Sequence, residues 1–187
     1  MCIIFQNNTQ SKKRNYMKLL TLLTLCTLQI NASLLDITSF EADFKQTITD
    51  EKNKELKYKG HVIASKPQYA TWQYTNPIEK YVYINQYQAT IVEPEIEQVI
   101  VRRITNEFDF FQMIKTAKKL QENTYVTMYN NTKYTIEVND RLIKSIIYLD
   151  QFENNVKIEF SDQKQNHKID KSRFTPKYST DFDLIND

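Results

Sequence analysis

The chain has 187 residues, 41% of them apolar, 12% aromatic and 26% charged, with a formal net charge of +2. This is the composition of a folded globular protein, too apolar for a disordered chain and too polar for one built of membrane-spanning helices. A single glycine excludes a glycine-rich phosphate loop, and near-neutral charge gives no electrostatic case for nucleic acid.

The first 32 residues read as a leader. Met17-Lys18 precedes the apolar run LLTLLTLCTLQ, and Ile30-Asn31-Ala32 ends it with a small residue at the cut position. That is the order of a cleavable signal peptide, and the run is too short to span a membrane. Residues 1–16 read as an over-extended gene start, or as a longer basic n-region through Lys12, Lys13 and Arg14. No acidic residue occurs before Asp36. Leu25 precedes Cys26 where a lipidated cysteine needs a small residue, so a lipid anchor is not expected. Both cysteines, Cys2 and Cys26, lie in the leader, so residues 33–187 hold no thiol chemistry. Removing Lys12, Lys13, Arg14 and Lys18 from 25 basic residues leaves 21 against 23 acids, a net charge near −2.

A short helix is expected over 33–38, capped by Ser33. Period-two alternation then dominates. Phe40, Ala42, Phe44 and Ile48 share one parity; Leu56, Tyr58, Gly60, Val62 and Ala64 share the next; Ala70, Trp72 and Tyr74 continue it. Each run predicts a strand with one buried face. YVYI, QATIV and EQVIVRRI follow as further strands. EPEIE at 93–97 reads as a solvated turn, since a calcium loop needs denser oxygen ligands and a glycine bend.

Residues 106–120, NEFDFFQMIKTAKKL, break the period. Phe110, Phe111, Met113, Ile114, Ala117 and Leu120 sit at helical spacing, with Asn106 as N-cap and Lys118-Lys119 in the last turn. Alternation resumes with Val126 and Met128 before Asn130-Asn131, then Tyr134, Ile136 and Val138 before Asn139-Asp140. RLIKSIIYL and the run of Val156, Ile158 and Phe160 follow. Turn signals every 8–12 residues predict a mainly β antiparallel meander, barrel or sandwich, in one domain over 33–187. Asn and Asp take the turn positions that glycine usually fills.

No catalytic constellation stands out. His61 and His167 lie on polar segments and read as solvated side chains. Neither belongs to a metal or nucleophile motif, so no cofactor and no catalytic residue is assigned. What remains is apolar: Phe110, Phe111, Met113 and Ile114 on the helix, and Phe40, Phe44, Tyr58, Ala70, Trp72, Tyr74 and Val82 on strands. Such residues make a filled core or the wall of a cavity, and alternation alone does not choose between them.

Three segments, ITSFEADFKQTITD at 37–50, GHVIASKPQYATWQYTNP at 60–77 and RFTPKYSTDFDLIND at the end, resemble the LolA family of periplasmic lipoprotein carriers. The shared pattern falls on Ser39, Phe40, Ala42, Phe44, Gln46, Gly60, Lys66, Pro67, Trp72 and Pro77. The resemblance implies an incomplete antiparallel β-barrel whose apolar concave face is covered by short α-helices. It implies a monomeric, non-enzymatic carrier that takes acylated lipoproteins from an inner-membrane ABC transporter toward the outer membrane, with or without an acceptor there. On that reading Leu34, Phe40, Phe44, Ala70, Trp72, Tyr74, Val82, Phe110, Met113 and Ile114 line the lipid cavity. Lys66 stands where the family often has an arginine that latches the lid; lysine keeps the charge and loses the planar donor fork. Other roles for such a half-barrel are an outer-membrane acceptor, an envelope sensor or a lipid-modifying enzyme. They would call for a lipidated cysteine, a second domain and a catalytic pair respectively.

Overall fold

The computed structural model describes residues 36–104 and 109–186. The leader, Ser33, Leu34 and the expected helix cap Asn106 lie outside them. Asp36–Thr38, the described part of the expected first helix, is not helical and leads directly into a strand.

Alternation becomes strands where it was expected. β1 (Ser39–Thr49) and β2 (Glu55–Ser65) form a long hairpin, followed by β3 (Tyr69–Asn76), β4 (Lys80–Ile84), β5 (Gln88–Glu93) and β6 (Gln98–Arg103). EPEIE is a 3-10 turn at Pro94–Ile96 between β5 and β6. After the helix α1 (Phe110–Thr116) come β7 (Lys118–Gln121), β8 (Thr124–Tyr129), β9 (Thr132–Asn139), β10 (Leu142–Leu149) and β11 (Asn155–Gln165). A second 3-10 turn at Lys171–Phe174 precedes β12 (Asp183–Asn186).

The twelve strands of the described residues belong to one sheet in the order β12-β6-β5-β4-β3-β2-β1-β11-β10-β9-β8-β7. β1 joins the two meanders, pairing with β2 on one side and β11 on the other. The sheet does not close: β7 and β12 are its two edges. It is a half-barrel with α1 packed into its concave side.

Among the described residues ten non-glycine residues adopt positive φ, and seven of them are Asn or Asp, so these residues do supply the turn backbone. Asn130-Asn131 and Asp140-Arg141 form two-residue loops with both residues at positive φ, which matches strand twist. The β1–β2 and β10–β11 turns share another device. Asp50 accepts hydrogen bonds from Lys52 N and Lys54 N, and Asp150 does the same for Phe152 N and Asn154 N. The one glycine does a different job. A Cβ on Gly60 would lie 1.9 Å from Gln73 O and 2.9 Å from Phe44 Cε1. β2 and β3 approach closely there, beside a bulge where Thr75 is the extra residue.

Three expectations need correction. The helix is shorter than residues 106–120. Asp109 caps it, accepting from Phe111 N and Gln112 N, and Ala117 already has extended backbone. Lys118 and Lys119 pair with β8 as part of strand β7, and Leu120 is 63% exposed. A sheet edge with partners outcompeted one more helical turn. In β8 the inward residues are Tyr125, Thr127 and Tyr129, while Met128 is exposed; Thr127 is buried because it bonds to α1. Finally, β12 runs parallel to β6, not antiparallel. No crossover helix makes this connection. The chain after β11 instead runs as a strap across the convex face of β1 to β6.

Candidate functional site

The concave face is built by register. Phe160, Phe44, Gly60 and Tyr74 align across β11, β1, β2 and β3. Ile146, Ile158, Gln46 and Tyr58 form the neighbouring row across β10, β11, β1 and β2. α1 lies over these rows and buries Phe111, Met113 and Ile114.

α1 does not fill the concavity. A cavity of about 350 Å3 remains, lined by Trp72, Tyr74, Val82, Ile84, Phe110, Ile146 and Ile158, with Gln46, Tyr134 and Tyr148 beside them. A smaller space of about 30 Å3 lies near Phe40, Ala64, Ala70 and Phe160. Phe110, Trp72 and Ile84 line both, so the Phe110 ring stands between them.

The expected site residues therefore separate into two groups. Ala70, Trp72, Tyr74, Val82 and Phe110 face empty space. Phe40 also touches the smaller cavity but is otherwise sealed. Met113 and Ile114 are buried at 0% and 1% exposure and form the root of the helix rather than the cavity wall. Phe44 stands behind the wall, edge-on to Trp72 at 5.0 Å and to Tyr74 at 5.2 Å. Gln46, Ile84, Tyr134, Ile146, Tyr148 and Ile158 complete the lining and were not assigned to it from sequence. Their parity was available: Gln46 shares that of Phe40 and Phe44, and Tyr148 that of Ile146.

The attachment of α1 is asymmetric. Asp109 N donates to Tyr129 Oη at 3.0 Å, and Thr116 Oγ1 meets Thr127 Oγ1 at 3.0 Å. Among the described residues, every hydrogen bond from Asp109–Thr116 to another element ends on β8. Toward β1 the contact is apolar, with the Phe110 and Phe40 rings 5.3 Å apart. Lys66 Nζ lies 3.6 Å from Asp36 Oδ1, tying the β2–β3 turn to the segment before β1. Among the described residues it makes no bond to α1.

The convex face carries the charge. Glu41 Oε1 accepts from Arg173 Nη1 at 2.9 Å, and the same carboxylate meets His61 Nε2 at 3.1 Å and His167 Nε2 at 2.9 Å. Burial pushes the Glu41 carboxyl up, but the bonds from Arg173, His61 and His167 outweigh it and hold the group at about 2. Among the described residues His167 Nδ1 is buried without a partner, while Nε2 faces the carboxylate, which can only accept. The two histidines are thus not free solvated side chains. They meet at one carboxylate, because the strap returns residue 167 to β1. Ser39 Oγ donates to His167 O, Thr71 Oγ1 donates to Arg173 O, and Phe174 packs on Tyr69. Further along, Phe182 packs against the cluster of Tyr83, Val92 and Val99. This network is a structural clasp on the side opposite the cavity.

Comparison with known proteins points the same way. Residues 36–177 match the family model described as outer membrane lipoprotein carrier protein LolA. The outer-membrane lipoprotein carrier protein of Campylobacter jejuni is 39% identical over 157 residues, covering 84% of this chain and 92% of that protein. Its counterpart in Wolinella succinogenes is 33% identical, covering 82% and 90%. Among solved structures, a LolA superfamily protein from Nitrosomonas europaea superposes with a TM-score of 0.50 at 9% identity, covering 76% of this chain and 92% of that one. A conserved protein from Thermus thermophilus gives 0.51 at 10% identity, covering 80% and 91%. At such identities the structural likeness concerns the fold alone.

Proposed function

This chain belongs to the LolA family of outer-membrane lipoprotein carriers, and from that premise we propose that the cavity under α1 holds lipoprotein acyl chains on their way across the periplasm. The observation that carries this reading is the 350 Å3 space, lined mostly by apolar side chains, between a half-barrel and a helix whose hydrogen bonds to other elements, among the described residues, end on β8. Each methylene hidden from water is worth about 0.8 kcal/mol, so a chain of about sixteen carbons faces a barrier of ~12 kcal/mol to entering water. A carrier supplies the cover, and the cover must be removable.

The cavity is near the lower end of the roughly 300–1,000 Å3 usual for ligand sites, which suits the empty carrier. Several acyl chains require α1 to move. It yields on the β1 side, where the Phe110 ring meets the Phe40 ring, and pivots on its bonds to Thr127 and Tyr129. Lys66, through Asp36, restrains the segment entering β1, so its part as a latch is indirect. The proposed partners are an inner-membrane ABC transporter that releases the lipoprotein and an outer-membrane site that receives it. Residues 33–187 act as one monomeric carrier domain once the leader is removed.

The test uses spheroplasts or inner-membrane vesicles bearing labelled lipoprotein. Added protein is expected to release the lipoprotein as a soluble one-to-one complex. Val82→Trp, which fills the cavity from β4, is expected to release much less while melting within a few degrees of the wild type. Failure of the wild-type protein to release any lipoprotein overturns the reading.

A further inference from the structure

The cavity has two unlike ends. Along β1, Phe40, Ala42 and Phe44 are 1%, 0% and 4% exposed, whereas Gln46 and Ile48 are half-buried. β2 shows the same gradient, from Ala64 at 3% to Leu56 at 51%. The phenylalanine end is closed and the Gln46 end is the mouth.

Polar atoms gather at that mouth. Tyr74 Oη donates to Gln46 Oε1 at 3.3 Å. This leaves the Gln46 amide nitrogen, with its two hydrogens, without a partner among the described residues. The Tyr148 hydroxyl likewise has no hydrogen-bond partner there. Its ring is 5.0 Å from that of Tyr134, and Tyr58 flanks Tyr74 at 5.8 Å. Burial pushes the hydroxyls of Tyr74 and Tyr148 up to about 12, so both remain protonated donors. A tail made only of methylenes satisfies neither the Gln46 amide nor the Tyr148 hydroxyl, and leaving them dry costs binding free energy. The Gln46 amide and the Tyr148 hydroxyl can each donate to a carbonyl placed at the mouth.

We infer that Gln46, Tyr74 and Tyr148 form a polar subsite for the ester and amide carbonyls that join acyl chains to the headgroup of a lipid anchor. The inference rests on the carrier reading and adds an orientation to it. Carbonyls sit at the mouth, tails run inward past Trp72 toward Phe110, and the attached polypeptide stays outside. The subsite also gives the carrier a means of preferring acylated ligands over bare hydrocarbon, since donors facing carbonyls give a selectivity that burial of methylenes alone does not.

The test compares two probes with the same pyrene-labelled tail, a fatty-acid methyl ester and an alkane, titrated into the purified protein. The wild type is expected to bind the ester more tightly. Gln46→Leu combined with Tyr148→Phe, which keeps the ring against Tyr134, is expected to weaken ester binding roughly tenfold and to leave alkane binding unchanged or tighter. Equal losses for both probes, or no loss for the ester, overturn the subsite and leave the carrier reading standing. No binding of either probe to the wild type overturns both. A second measurement does not depend on the double variant. The ester carbonyl stretch of the bound probe is expected to shift to lower frequency and to return toward its non-bonded position in Tyr148→Phe. A stretch at the non-bonded position in the wild type refutes the hydrogen bonds.

Discussion

Replacing Gly60 with alanine puts a methyl group where the sheet has no room for one. Its Cβ would meet Gln73 O at 1.9 Å, Gln73 C at 2.9 Å and Phe44 Cε1 at 2.9 Å. A comfortable carbon–oxygen approach is about 3.3 Å, so β2 and β3 must separate by roughly 1.4 Å. The Gly60–Tyr74 pairing beside the bulge is then lost, at about 1 kcal/mol for each hydrogen bond. The Phe44 ring is also pushed from its edge contacts with Trp72 and Tyr74, each worth about 0.5–1.5 kcal/mol. Together these place the cost at about 3 kcal/mol, the upper end for overpacking. For a domain of this size that lowers the melting temperature by roughly 6–12 °C. The assay is thermal melting, supported by urea unfolding with an unchanged slope. Because the nearest obstacle is backbone, shrinking the ring with Phe44→Leu is not expected to rescue the variant. A Gly60→Ala protein that melts within about 2 °C of the wild type, or a rescue by Phe44→Leu, refutes the steric account.

Other outcomes follow from the clasp, the cap and the latch. Glu41 is held at about 2 against an ordinary 4.5, so its stabilisation is present above pH 4.5 and lost as pH falls from there to about 2. Allowing for its partial exposure, Glu41→Gln is expected to cost about 2 kcal/mol at neutral pH, with the gap closing toward pH 2 in urea titrations; a gap that does not change with pH contradicts this. Asp109→Ala removes both cap bonds of α1 and is expected to cost about 1 kcal/mol, read as a fall of a few degrees in melting temperature. Lys66→Ala breaks an exposed pair worth about 0–1 kcal/mol. It is expected to leave melting nearly unchanged while speeding acyl-probe entry in stopped flow, and unaltered entry ends the latch idea.

What the sequence revealed depended on how local the cause was. Phe40 to Ile48 and Ala70 to Tyr74 declare their inward parity within a few residues, and the structure keeps it. The end of α1 was not legible, because Lys118 to Leu120 suit a helix as well as a strand and only β8 decides. Thr127 was missed for a related reason: a polar residue turned inward because α1 brings Thr116 to it. The meeting of His61 and His167 at Glu41 lay furthest out of reach, since it depends on a strap returning over 126 residues. Gln46 and Tyr148 were legible in part. They share the parity of apolar neighbours, and both line the space that α1 leaves open.

The strap also has a consequence for the order in which the molecule is completed. Ser39, Glu41 and Thr71 wait for partners 128, 132 and 102 residues further along the chain, and β6 waits for β12. Synthesis begins at the N-terminus, and contacts this distant form late. Until Phe182 arrives, Tyr83, Val92 and Val99 present an apolar patch to water beside an unpaired strand edge. A protein that shelters the greasy part of others thus passes through a stage of its own biogenesis in which it is the one needing shelter.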